Sequence, residues 1–269
     1  SRLLRSRSAV TVVGMLETYL AFLQGKGAGS GWDMQAEVGV ALAHLSGPNP
    51  IIFDVGANDG DWSAQILKAL GPNCRIIQFE PSPLCQEILQ AQQSAQTVLI
   101  DAAVGDRPGT ATLYGLDFGS RFASLHPRRD SYLSGLALRQ STVRVVTIDE
   151  VMDNLEIAVV DFMKLDIEGN ELAALRGARR VLESKRIRAL TFEFGSGNIN
   201  SRTYFRDFWD LLQPLGYTVE RIGPSGILIP VSAYYEDLEY FRGVTNYLAV
   251  LKGWPQDPSP ALADTSRDA

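Results

Sequence analysis

Ile51-Ile52-Phe53-Asp54-Val55-Gly56-Ala57-Asn58-Asp59-Gly60 runs from apolar residues through an acid into a turn spaced Gly-x-Asn-x-Gly. The apolar start has the composition of a strand buried on both faces, and the glycines give the backbone the freedom a tight turn needs. Trp62, Ile66 and Leu70 follow at helical spacing, so the stretch reads as strand, turn and helix. The next strand, Cys74-Arg75-Ile76-Ile77-Gln78-Phe79-Glu80, also ends on an acid, and Gly60 and Glu80 lie 20 residues apart. That is the separation expected between a turn that cradles a nucleotide and the carboxylate that holds its ribose. An adenosine-containing cofactor is the expectation.

Outward from this unit the pattern repeats. Residues 83–93 read as a helix, 97–100 and 159–166 as strands, 170–182 as a helix broken at Gly177, and 187–194 as a strand. Such alternation predicts parallel strands joined by crossover helices. Ser201 is placed to N-cap a helix running to Leu212, with Tyr204, Phe205, Phe208 and Leu212 as its core stripe. Residues 216–222 and 245–251 read as closing strands, with 226–229 as a short extra one. The rhythm fails in the middle, where residues 104–109 form a turn, 110–114 a β-ribbon, 118–140 a loop-rich stretch and 142–148 a further strand. The span 104–148 is expected to be an insertion over the cofactor edge. Residues 1–47, with helices at 9–24 and 32–45 joined by a glycine-rich link, form an N-terminal extension. Residues 48–254 form the main domain, and 255–269, rich in Pro, Asp, Ser and Ala, are expected to be disordered.

With 269 residues, 45% of them hydrophobic and 21% charged, the chain suits one large soluble α/β domain. A net charge of -6 argues against a broad nucleic-acid-binding face. Arg2, Arg5 and Arg7 precede an apolar stretch over 9–23, but Glu17 interrupts it and no small-residue cleavage site follows. An amphipathic helix is expected there rather than a secretory signal, and no run is long enough to span a bilayer. The sequence opens on Ser rather than Met, which is compatible with an upstream segment. Cys74 and Cys85 are expected to be reduced, buried thiols in a cytosolic protein.

The turn departs from the nicotinamide fingerprint, whose third glycine and helix N–H groups serve a pyrophosphate. Here Asp54 precedes the first glycine, which suits a cationic ligand. S-adenosylmethionine carries a sulfonium and an ammonium and no phosphate. In this reading Asp54 holds the aminoacyl end, directly or through water, and Glu80 takes both ribose hydroxyls. The plain alternative is a tight turn whose acid caps the helix.

Phe162-Met163-Lys164-Leu165-Asp166-Ile167-Glu168-Gly169 is the second informative stretch. Side chains alternate across a strand, so Lys164, Asp166 and Glu168 share one face. Central parallel strands are normally apolar on both faces, and a buried lysine and acid cost several kcal/mol unless paired. A structural ion pair is one reading. The other is the floor of an active site, because ligands of such sheets bind beyond the carboxyl ends of the strands. Asp166 falls at such an end, and Glu193 ends the neighbouring strand at a similar level.

Asp54-Val55-Gly56-Ala57-Asn58, Phe79-Glu80-Pro81, the block Lys164-Leu165-Asp166-Ile167-Glu168-Gly169-Asn170-Glu171 with Leu175-Arg176-Gly177-Ala178, and Glu193 together resemble the FkbM family of S-adenosylmethionine-dependent methyltransferases. The resemblance covers about residues 51–251. It implies the class I, Rossmann-like fold: seven strands, mostly parallel, helices on both faces, the last strand antiparallel. It also implies methyl transfer, most often to a hydroxyl of a sugar, polyketide or other secondary metabolite. Carried over by position, Asp54, Gly56, Ala57, Asn58 and Gly60 would surround the methionine part of the cofactor. Glu80 with Pro81 would bind the ribose, and Asp101, Ala102 and Ala103 would lie by the adenine. Asn170 stands where many relatives carry His or a similar polar residue.

An alcohol acceptor must lose a proton as it is methylated. His126, in the loop-rich insertion, is one candidate base, and Asp166 is a second. A third scheme uses a divalent cation held by Asp166 and Glu193, with Lys164 able to neutralise that pair and make the cation unnecessary. Metal-free transfer is the preferred reading. Arg121, Arg128 and Arg129 flank His126 as a solvated cluster or an anion attractor, and Tyr234 and Tyr235 are candidates to line the acceptor pocket. His44 is expected to be structural or solvent-facing. Methylation of nitrogen or carbon, on a peptide or lipid-linked acceptor, is the alternative. A nicotinamide oxidoreductase or a nonenzymatic nucleotide-binding module fits the turn and the polar strand less well. A homo-oligomer is left open.

Overall fold

A computed structural model of the chain describes residues 6–28, 34–116, 122–129 and 135–253. Arg121, residues 29–31 of the glycine-rich link at 25–31 and the tail expected to be disordered lie outside these. Helices α1 (Arg7–Leu23) and α2 (Met34–His44) come first. Then follow β1 (Ile51–Val55), α3 (Asp61–Leu70), β2 (Arg75–Phe79), α4 (Pro83–Ala91) and β3 (Thr97–Ile100). β4 (Ala103–Val104), β5 (Gly109–Gly115) and β6 (Arg139–Val146) lead to α5 (Ile148–Asn154), β7 (Val160–Leu165), α6 (Glu171–Arg176) and α7 (Arg179–Glu183). The chain continues through β8 (Ile187–Gly195), α8 (Ser196–Ser201), α9 (Phe205–Leu212), β9 (Tyr217–Ile222), β10 (Leu228–Val231) and β11 (Val244–Leu251).

The main sheet has eight strands in the order β10-β9-β11-β8-β7-β1-β2-β3. β3, β2, β1, β7 and β8 pair in parallel, and β11 runs antiparallel to both β8 and β9. Seven of these strands make the expected class I sheet. The eighth, β10, folds back on β9 and pairs Leu228 with Ile222 and Val231 with Val219. β4, β6 and β5 form a separate three-stranded sheet.

Alternation along each strand feeds two cores. Phe53 and Met163 join the larger one with Phe192, Phe205 and Phe208, whereas Ile52 and Phe162 join Trp62, Ile66 and Val40 on the other face. Val38, Val40 and Ala41 of α2 are buried, so this helix is part of the second core. The break between α6 and α7 has a steric cause. A Cβ on Gly177 would lie 2.0 Å from the Gly105 carbonyl oxygen, so only glycine lets the helices approach the start of the small sheet.

The aromatic stripe differs from expectation at its start. Ser201 ends α8 instead of capping α9; Asp207 Oδ2 accepts the Tyr204 N–H at 2.8 Å and starts the later helix. Tyr204 is consequently exposed, while Phe205, Phe208 and Leu212 are fully buried. Cys74 and Cys85 are buried and free.

Candidate active site

The turn after β1 is bonded to the end of β2. The Gly56 and Ala57 N–H groups both donate to the Phe79 carbonyl at 3.0 Å. The Asn58 N–H donates to Glu80 Oε2 and the Ser82 N–H to Glu80 Oε1, both at 2.8 Å. Each carboxylate oxygen therefore keeps a lone pair free for a further donor. Burial pushes the Glu80 carboxyl up to about 7, against the lowering effect of those N–H groups. Gly56 has φ +88, and a Cβ there would lie 1.9 Å from the Asp166 carbonyl oxygen. No other residue fits that contact.

The floor is set by strand register. Asp54 on β1 lies opposite Lys164 on β7. Lys164 Nζ donates to Asp166 Oδ2 at 3.0 Å and lies 3.6 Å from Asp54 Oδ1. Ser63 Oγ donates to Asp54 Oδ2 at 2.6 Å. Burial opposes the Lys164 charge, but Asp166, Asp54 and Glu37 outweigh it and raise its pKa. Glu37 comes from α2. Its carboxylate accepts from Asn246 Nδ2 on β11, and burial pushes it up to about 7. Glu193, paired across strands with Asn246, sits well above the ordinary range through burial and the repulsion of Asp166, Glu168 and Glu171. Among the described residues nothing hydrogen-bonds to the Glu193 carboxylate.

These groups surround one cavity of about 560 Å³. Gly56, Ala57, Asn58, Glu80 and Pro81 line it, as do Ala102, Ala103, Lys164, Asp166 and Glu193. Four other candidate positions do not. Asp54 is fully buried beneath the floor, bonded to Ser63 and facing Lys164. Gly60 N-caps α3 and turns towards Leu89 and Gln92, and Asp101 is exposed and paired with Arg144. His126 stands behind the wall, with Nε2 3.1 Å from Asn170 Oδ1. Because Asn170 Nδ2 donates to the Val104 carbonyl at 2.7 Å, its Oδ1 faces the imidazole, which must present an Nε2–H. Burial lowers the His126 pKa, with Asn170 opposing.

The insertion supplies a wall through residues 122–125, and Ser124 Oγ donates to the Glu168 carbonyl at 2.8 Å. Arg128 is buried rather than solvated, paired with Glu168 and 3.3 Å from Ser196 Oγ. Glu171 Oε1 accepts from the Ile167 and Gly169 N–H groups and pins the loop between them. Tyr234 bonds Glu239 and Tyr235 is largely exposed, so neither lines the cavity; Gly243 and Val244 do. Met34 and Glu37 were not foreseen in this wall. The available signal was an acid one position before the apolar set Val38, Val40 and Ala41. Among the described residues no group of three or more His, Cys, Asp or Glu side chains is arranged to hold a metal ion.

A doubly wound sheet with an acid-led glycine turn and a carboxylate at the end of the second strand defines a class I methyltransferase, a class that draws its methyl group from S-adenosylmethionine. The chain belongs to the Methyltransferase FkbM domain family, whose sequence model matches residues 54–219. It is similar to the methyltransferase sdnD of Sordaria araneosa, at 24% identity over 217 residues, 70% of this chain and 73% of that protein. Among solved structures, the methyltransferase FkbM of Methylobacillus flagellatus KT aligns over 84% of this chain with TM-score 0.46 and 14% identity. The chain spans 60% of the length of that structure. The O-methyltransferase from Bacillus cereus, solved with SAH, aligns over 94% of both chains with TM-score 0.42 and 12% identity.

Proposed function

We propose that this chain is an S-adenosylmethionine-dependent O-methyltransferase acting on a hydroxyl of a small molecule of sugar, polyketide or other secondary-metabolite type. The observation that carries this reading is a single cavity lined both by Glu80, with a lone pair open on each oxygen, and by the acids Asp166 and Glu193. Its residues fit the cofactor. Glu80 accepts from the two ribose hydroxyls, Ala102, Ala103 and Phe79 give apolar surface for the adenine, and the space above Gly56 stays open because no Cβ fills it. Asp166 and, through Lys164, the buried Asp54 put net negative charge beside the cationic end. S-adenosylmethionine supplies an electrophilic methyl group on a sulfonium.

The chain's own contribution is positioning and proton removal. Lys164 Nζ already donates to Asp166 Oδ2 at 3.0 Å, which occupies that oxygen. Glu193 has no such partner, and its raised affinity for protons suits it to take the proton from an acceptor hydroxyl. Incubation with S-adenosylmethionine and a panel of hydroxylated small molecules, followed by mass spectrometry, tests the reading. A mass gain of one methyl on oxygen supports it. Methylation confined to nitrogen or carbon acceptors, or calorimetric binding of NAD in place of S-adenosylhomocysteine, overturns it.

A further inference from the structure

Helix α1 is turned inside out. Its side toward the rest of the molecule is polar or small: Glu17 pairs with Arg242, Thr18 Oγ1 lies 3.3 Å from Arg242 Nη1, and Ala21 is its one buried residue. The outward side carries Val12, Val13, Met15, Leu16, Tyr19 and Leu20, all exposed, with Met15 at 67%, Tyr19 at 60% and Leu16 at 56%. Leu23 and Phe22 extend the same surface. At 3.6 residues per turn these side chains sweep roughly 180° of the helix. A globular protein buries such an arc against its core; here it faces away. Local charge is also reversed relative to the whole. Residues 1–28 hold four basic residues, Arg2, Arg5, Arg7 and Lys26, and one acid, Glu17, in a chain of net charge -6.

We infer that α1 docks this protein onto an anionic phospholipid surface, lying in the interface plane. The arc is wider than the narrow seam one partner helix covers. Arg7 at the helix start, with Arg2 and Arg5 shortly before it in the sequence, and Tyr19 amid the aliphatics match a headgroup layer over acyl chains. No helix among the described residues is long and apolar enough to cross a membrane, so the contact is peripheral. The inference does not depend on the methyl-transfer reading.

Co-sedimentation of the full 269-residue chain with vesicles tests it, comparing phosphatidylglycerol–phosphatidylcholine with phosphatidylcholine alone. The chain should pellet with the anionic vesicles, and less so as salt rises. The double variant Leu16→Glu, Leu20→Glu should lower partitioning at least about tenfold. Its unfolding midpoint and affinity for S-adenosylhomocysteine should stay unchanged, because Leu16 and Leu20 are both more than half exposed. Arg7→Glu should weaken binding to anionic vesicles selectively. Wild-type protein left in the supernatant overturns the inference, as does equal binding by the double variant. Light scattering that shows a dimer dissociated by that variant, with no vesicle binding, would assign the face to a second copy instead.

Discussion

The backbone N–H of Asn58 donates to Oε2 of Glu80 at 2.8 Å, so the glycine turn and the acid of the following strand are one hydrogen-bonded unit. The turn cannot shift without moving the carboxylate.

That unit titrates. Burial raises Glu80 from 4.5 to about 7 in the free protein. A raised acid contributes stability that is present below its unfolded pKa and lost as pH rises through the folded one, here between about 4.5 and about 7. Ribose hydroxyls donate to the ionised form, so binding releases a proton. Affinity for S-adenosylhomocysteine should therefore strengthen from about pH 6 to about pH 8. Glu80→Gln should bind more weakly and flatten that slope; calorimetry at the two pH values reads both. A slope that persists in the variant would remove Glu80 from the role.

Gly56→Ala attacks the same turn sterically. Its φ of +88 alone costs a non-glycine residue about 1–3 kcal/mol, and the contact with Asp166 adds to that. The urea midpoint should fall, with loss of detectable S-adenosylhomocysteine binding. Wild-type behaviour in both would contradict the geometry.

Lys164 is the cation shared by two floor carboxylates. Lys164→Met leaves Asp54 buried with a lost charge partner and should cost about 3–5 kcal/mol. Adding Asp54→Asn should recover part of the loss, so a double-mutant cycle by urea unfolding should be strongly non-additive. Simple additivity would show that the pair does not couple.

Glu193→Gln separates chemistry from binding. If Glu193 removes the acceptor proton, kcat should drop by about 100-fold to 10,000-fold. Affinity for S-adenosylhomocysteine should stay within about threefold. An unchanged kcat would transfer the task to Asp166.

Much of this architecture was legible because its signals are local. Apolar runs ending on Asp54, Glu80 and Asp166 marked central strands, the spacing of Gly60 and Glu80 marked the cofactor rim, and Gly177 marked the break between α6 and α7. What escaped depends on distant partners. Glu37 joins the cavity through Asn246, 209 positions away, and Arg128 is buried because Glu168, 40 positions on, accepts it. α8 lacks apolar periodicity; Asn198 holds it by accepting from the Gly195 N–H and donating to Thr203. Ser201 lost the cap to Asp207, a choice propensity alone does not decide.

β11 lies between β8 and β9 and is hydrogen-bonded to both, although among the described residues it follows every other strand in the chain. Until residue 251 clears the ribosome, those two neighbours present bare edges with nothing between them. Nascent chains halted before Val244 should therefore be captured by chaperones or aggregate, while chains carried past Leu251 should resist proteolysis.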